Sequence, residues 1–186
     1  MRVISGIARG TKLNSIDSKE TRPTLDRVKE ALFNIIQSKI EDSVVLDLFA
    51  GSGAIGIEFL SRGSKKVYFC EKSHIAAQMI KQNLEKTRLR SKSEILEMDF
   101  KKCLSKLSNG SIKFDAIFID PPYKADIAIE AVKQIVSLGL LEKNGVVIIE
   151  TDEEKRDLEK LEKMQVKVND LRKYGRACLI FLSRKE

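Results

Sequence analysis

A chain of 186 residues with 42% hydrophobic and 33% charged content is long enough to bury one core, with room for a small appendage. It has no run of about 18 apolar residues and no apolar segment in its opening "MRVISGIARGTKL", so neither a membrane span nor a secretory signal is expected and the cytoplasm is the expected compartment. The formal net charge of +7 favours an anionic partner, nucleic acid first.

Residues 1–42 read as a basic N-terminal extension. "RVISGIARGTKL" has the glycine content of a small β-hairpin, and "PTLDRVKEALFNIIQSKI" (23–40) predicts an amphipathic helix with Pro23 near its start. From residue 43 onward, strand-like and helix-like stretches alternate. "SVVLDLF" (43–49), "KVYFCE" (66–71), "SEILEM" (93–98), "FDAIFID" (114–120) and "GVVIIET" (145–151) are apolar runs of the kind buried on both faces in a parallel sheet. Helices are expected over 52–63, ending near Gly63, over 73–89 behind an N-cap at Ser73, and over 99–107 and 126–141. In the second of these, Ile75, Met79, Ile80 and Leu84 should share the buried face. A charged helix (153–164) and two strands turning at Tyr174-Gly175 would add an antiparallel hairpin and bring the sheet to seven strands. Cys70, Cys103 and Cys178 are too far apart in sequence to suggest a disulfide framework or zinc site, and Cys70 and Cys178 sit in apolar runs that predict burial. His74 is the only histidine, which excludes chemistry needing two.

Two motifs carry chemistry. "LDLFAGSGAIG" (46–56) places Gly51, Gly53 and Gly56 between a strand and a helix, where a ligand can approach bare backbone amides. Asp47 precedes them inside the strand. A carboxylate there would repel a pyrophosphate and suits a ligand with an ammonium group and no phosphate, as in S-adenosylmethionine. Glu71 ends the second run, where it can accept from ribose hydroxyls. Asp99 follows the third and can accept from an adenine amino group, with Phe100 against the ring. The candidate cofactor contacts are Asp47, Phe49, Ala50, Gly51, Ser52, Gly53, Glu71, Lys72, Asp99 and Phe100.

The second motif is Asp120-Pro121-Pro122-Tyr123, which stops the fourth run. Neither proline has an N–H, so the segment is stiff. The Asp120 carboxylate and Pro121 carbonyl can hold both hydrogens of an exocyclic amine, and Tyr123 can stack on its base. No metal is called for, because a sulfonium already activates the methyl group. These four residues are the candidate catalytic set.

"RVISGIARGTKL", "RPTLDRVKEALFN", "DLFAGSGAIGIEFLSRG", "FDAIFIDPPY" and "KYG" together resemble the RsmD family of bacterial 16S rRNA guanine-N2 methyltransferases, from residue 2 to about 183. The resemblance implies an α/β, Rossmann-like class I methyltransferase fold over 43–186 with the N-terminal hairpin and helix appended. It also implies S-adenosylmethionine as cofactor and, as substrate, one guanine of 16S rRNA within an assembled 30S subunit, bound by a monomer. D-P-P-Y is shared with DNA adenine methyltransferases, so another rRNA base or DNA adenine N6 stays open, as do a non-catalytic nucleic-acid-binding module and a dehydrogenase. Arg9, Lys12, Arg22 and Thr24 are the expected RNA contacts, with Arg27 and Lys29 on the solvated face of their helix. The core fold is expected not to need residues 1–42, and deleting residues 1–14 is expected to abolish rRNA methylation while sparing cofactor binding.

Overall fold

The computed structural model describes residues 1–15, 23–122 and 126–185. Five apolar runs form the strands β1 (Val44–Asp47), β2 (Lys66–Glu71), β3 (Ser93–Glu97), β4 (Phe114–Ile119) and β5 (Leu141–Thr151), and the C-terminal pair forms β6 (Val166–Tyr174) and β7 (Ala177–Arg184). They make one seven-stranded sheet in the order β3-β2-β1-β4-β5-β7-β6. The first five are mutually parallel, while β7 runs antiparallel to β5 and to β6. Helices α1 (Pro23–Ile35), α2 (Ala54–Ser61), α3 (His74–Lys86), α4 (Phe100–Asn109), α5 (Ile127–Ser137) and α6 (Glu154–Leu161) connect or precede the strands. This is a Rossmann-like α/β architecture, and its strand order reverses direction between β1 and β4. Ligands of such sheets bind beyond the strand C-termini at that point.

Alternate residues of each strand enter separate cores. Val45, Phe69, Phe118 and Ile148 pack with α1 and α2 on one face, while Leu46, Cys70, Ile117 and Ile149 pack with α4 and α5 on the other. Asp47, following Leu46, therefore points to the α1 side, and parity puts Asp120 and Glu150 there too. All three cysteines are buried and free. No helix among the described residues is long and apolar enough to cross a membrane.

Four expectations change. Ile75 is 70% exposed, because α3 seats Ala76, Ala77, Ile80, Asn83 and Leu84 instead. The small alanines allow close approach, and Asn83 has specific bonds to make. The hairpin turns at Gly175-Arg176, since Tyr174 still pairs with Ala177; Gly175 takes the positive φ of 62°. The N-terminal β element is a single bridge between Arg2 and Lys12, flanked by backbone bonds from Val3 N–H to Thr11 and from Leu13 N–H to Met1. Finally, Val3, Ala8 and Leu13 are buried in the same core as Leu32, Phe33 and Phe59, so residues 1–14 are not dispensable for packing.

Candidate active site

Five acids stand at the C-terminal ends of the parallel strands, and three of them, Asp47, Asp120 and Glu150, line one cavity. Asp47 closes β1 and Glu71 closes β2, Asp99 caps α4 just after β3, Asp120 follows β4, and Glu150 is the penultimate residue of β5. A cavity of about 200 Å3 opens there, lined by Asp47, the loop from Phe49 to Ser52, Asp120 and Glu150, with Met1, Asp26 and Lys29 on its α1 side.

The glycine loop is tied down from both ends. Asp47 is 2% exposed, and its Oδ2 accepts the Gly56 N–H at 3.0 Å. Glu71 accepts the Gly51 N–H at 2.9 Å and the Ser73 N–H at 2.8 Å, so it holds the loop and the start of α3 together. Asn83 donates to the Ser52 carbonyl at 2.9 Å and exchanges two bonds with the Asn14 backbone. The glycines have different duties. Gly56 lies against β2, where a Cβ would come within 2.3 Å of the Phe69 ring. Gly51 adopts φ +55° with nothing within 4 Å of where a Cβ would stand, so bare backbone faces open space. Burial pushes the Asp47 carboxyl up to about 7, aided by the nearby Glu71 charge and opposed by the Gly56 N–H.

The other predicted cofactor contacts divide. Lys72 is exposed, Phe49 is half-buried and Ala50 is buried. Asp99 uses Oδ1 to cap α4 through the Lys101 N–H at 2.9 Å, leaving its other oxygen for a ligand. Phe100 is only 8% exposed and packs on Phe49 with ring centroids 5.3 Å apart. The rings are tilted by 48°, and of the pair it is the less buried Phe49 that lines the cavity.

Asp120 is exposed and makes no hydrogen bond or ion pair among the described residues. Desolvation against the sheet end raises its pKa, and the carboxyls of Glu150 and Asp47 add to the rise. Since the side chain still reaches water, repulsion by those two carboxyls is what a cationic or donor-rich ligand would relieve. Glu150, also raised by burial, is absent from the residues expected on sequence grounds. Its signal is an acid near the end of the fifth apolar run, the same pattern that marks Asp120.

The α1 side corrects a further expectation. Lys29 is 4% exposed, not solvated. Its ammonium donates to the Arg2 carbonyl at 2.6 Å and pairs with Glu58 at 3.1 Å, and burial lowers its pKa. Glu58, fully buried on α2, also accepts the Ile4 and Ser5 N–H groups and pairs with Arg62 at 2.8 Å. This network docks the N-terminal hairpin beside the cavity. Arg9, Lys12 and Arg27 are exposed. Arg22, Tyr123 and the Thr24 side chain lie outside the described residues.

Across residues 1–183 the chain matches the family described as conserved hypothetical protein 95. The chain belongs to that family. Among its relatives is ribosomal RNA small subunit methyltransferase D of Haemophilus influenzae, 38% identical over 156 residues, or 83% of this chain and 80% of the relative. The protein of the same name in Escherichia coli K12 is 32% identical over 154 residues, covering 83% of this chain and 76% of the relative. The solved structure of Escherichia coli yhhF superimposes with a TM-score of 0.82 at 25% identity, covering 100% of this chain and 98% of that one. Family membership thus agrees with the resemblance carried by the N-terminal and D-P-P-Y motifs.

Proposed function

We propose that this protein transfers a methyl group from S-adenosylmethionine to the exocyclic N2 of one guanine in 16S rRNA, within an assembled 30S subunit. The relatives named as small-subunit rRNA methyltransferases support the reaction and the RNA. The observation that carries it is that the glycine loop and Asp120, the first residue of the D-P-P-Y tip, line one cavity.

The residues fit the cofactor. Buried Asp47 and its carboxyl neighbours favour a cation, Glu71 stands where ribose hydroxyls would be held, and Gly51 exposes backbone to open space. Phe49, Ala50, Ser52, Gly53, Lys72 and the free oxygen of Asp99 would complete that site. When bound, S-adenosylmethionine supplies a methyl group already activated by its sulfonium. The protein contributes alignment. Asp120 and the Pro121 carbonyl accept the two amine hydrogens and turn the nitrogen lone pair out of the ring's conjugation. Pro122 keeps that tip stiff, and Tyr123 stacks on the base. The methylated amine is strongly acidic while cationic, so its proton leaves without a potent base. Arg9, Lys12, Arg22 and Thr24 meet the RNA backbone.

Incubating the protein with labelled S-adenosylmethionine and small subunits from a strain lacking the gene tests this reading. Nucleoside mass spectrometry should find N2-methylguanosine at a single 16S position. Absence of transfer, or methylation of a different atom, would overturn it.

A further inference from the structure

We infer that Glu150 is the residue that selects guanine, by accepting the ring N1–H beside the amine held by Asp120 and Pro121. This rests on the functional reading above and gives it a source of base specificity that D-P-P-Y lacks.

The geometry follows from strand register. Ile119 of β4 pairs in parallel with Ile149 of β5, so the next residues, Asp120 and Glu150, emerge side by side on the same face. Both line the same cavity as Asp47. Among the described residues no cation pairs with Asp120 or Glu150; Lys29, the cationic side chain lining the cavity, is engaged by Glu58 and the Arg2 carbonyl. The cavity therefore presents adjacent acceptors with no free side-chain cation to match them. Repulsion between the carboxyls contributes to the raised pKa of Asp120, and a ligand bringing several N–H groups would relieve it.

Base chemistry then discriminates. Adenine and cytosine each carry an amine next to an unprotonated ring nitrogen, which is an acceptor. Guanine alone carries its amine next to a ring N–H. Two amine hydrogens and one N1–H meet three acceptors: the Asp120 carboxylate, the Pro121 carbonyl and Glu150. With adenine or cytosine, Glu150 would face a lone pair, an electrostatic rejection built into the pocket. Enzymes that unstack a base commonly read this Watson–Crick edge.

The test compares guanine with 2-aminopurine, which keeps the 2-amine but has an unprotonated N1. Small subunits would be reconstituted from ligated 16S rRNA carrying one or the other at the mapped nucleotide. Wild-type protein should use guanine with a kcat/KM higher by roughly a hundredfold or more, as expected where a buried polar group is left without its partner. Glu150→Gln offers either a carbonyl or an amide N–H, so it should retain guanine activity within about tenfold while the preference contracts to about tenfold or less. The loss of O6 in 2-aminopurine is common to both proteins and cancels in that comparison. Should Glu150→Gln fail to fold, judged by its melting transition, Glu150→Ala serves, and there guanine turnover should drop as the preference contracts. An unchanged preference in the variant, or equal use of both bases by wild type, would overturn the inference while leaving guanine methylation standing. Failure of the wild type on guanine itself would instead overturn the functional reading.

Discussion

Asp47 illustrates how one carboxyl can link a ligand to a proton. Its pKa of about 7 in the ligand-free fold lies above the value near 4 of an unfolded aspartate. The folded state therefore holds a proton that the unfolded chain has released, and the stability this confers is present below about pH 4 and lost as pH rises through about 7. A cationic ligand needs the ionised form, so the sign for binding is opposite. Affinity for S-adenosylmethionine should fall by up to about tenfold per pH unit below 7, with proton release on binding. Titration calorimetry in two buffers of different ionisation enthalpy would show it, and Asp47→Asn should abolish the dependence. At Asp120 the expectation concerns turnover. Asp120→Ala should slow transfer by about two to three orders of magnitude at nearly unchanged cofactor affinity, with Asp120→Asn milder because it keeps an acceptor. Equal, small losses in both variants would refute the role.

The elements are held in relation by a few buried polar groups. Glu58 joins α2 to α1 through Lys29 and to the N-terminal hairpin through the Ile4 and Ser5 amides. Glu58→Ala leaves the Lys29 charge buried without its partner and should cost about 3–5 kcal/mol in urea unfolding. Replacing both by Leu and Met should recover part of that loss. Gly6 makes the hairpin's approach possible: it has φ +83°, and a Cβ there would stand 1.8 Å from the Ser61 carbonyl oxygen. Gly6→Ala should therefore undock the hairpin and lower the melting temperature, whereas Gly10→Ala meets no atom within 4 Å and should be milder, carrying only backbone strain. Removing residues 1–14 would be a test of stability, not of RNA binding.

For the molecule as a whole, a net charge of +7 sets long-range attraction to RNA, while the local acids set chemistry. The hairpin carrying exposed Arg9 and Lys12 also brings Met1 to the cavity wall, which puts basic side chains on the same appendage that borders the proposed base site. Neutralising either should reduce the salt dependence of RNA binding by a slope of about 0.7–0.9 for each phosphate that the side chain had paired with. Binding measured over a salt series would show this, and unchanged slopes in both variants would remove them from the interface.

What the sequence by itself determined was local. Continuous apolar runs bounded by turn residues read as doubly buried strands, Ser73 caps the helix it precedes, and a glycine loop after Asp47 turns between strand and helix. These follow from short-range sterics and periodicity, so they survived, except that α5 ends at Ser137 and β5 starts at Leu141, four residues earlier than expected. Partnerships were not legible, because they depend on groups distant in sequence. Lys29 reads as a solvated charge on its helix, but the N-terminal hairpin covers it and Glu58 pairs with it, while the Arg2 carbonyl, 27 residues upstream, accepts from it. Ile75 gave up its place in the core to Asn83, whose bonds reach Ser52 and Asn14. Glu150 became the neighbour of Asp120 through the β4–β5 register. Tertiary structure alone decided these, since the free energy of a buried charge depends on which partners the fold brings within reach.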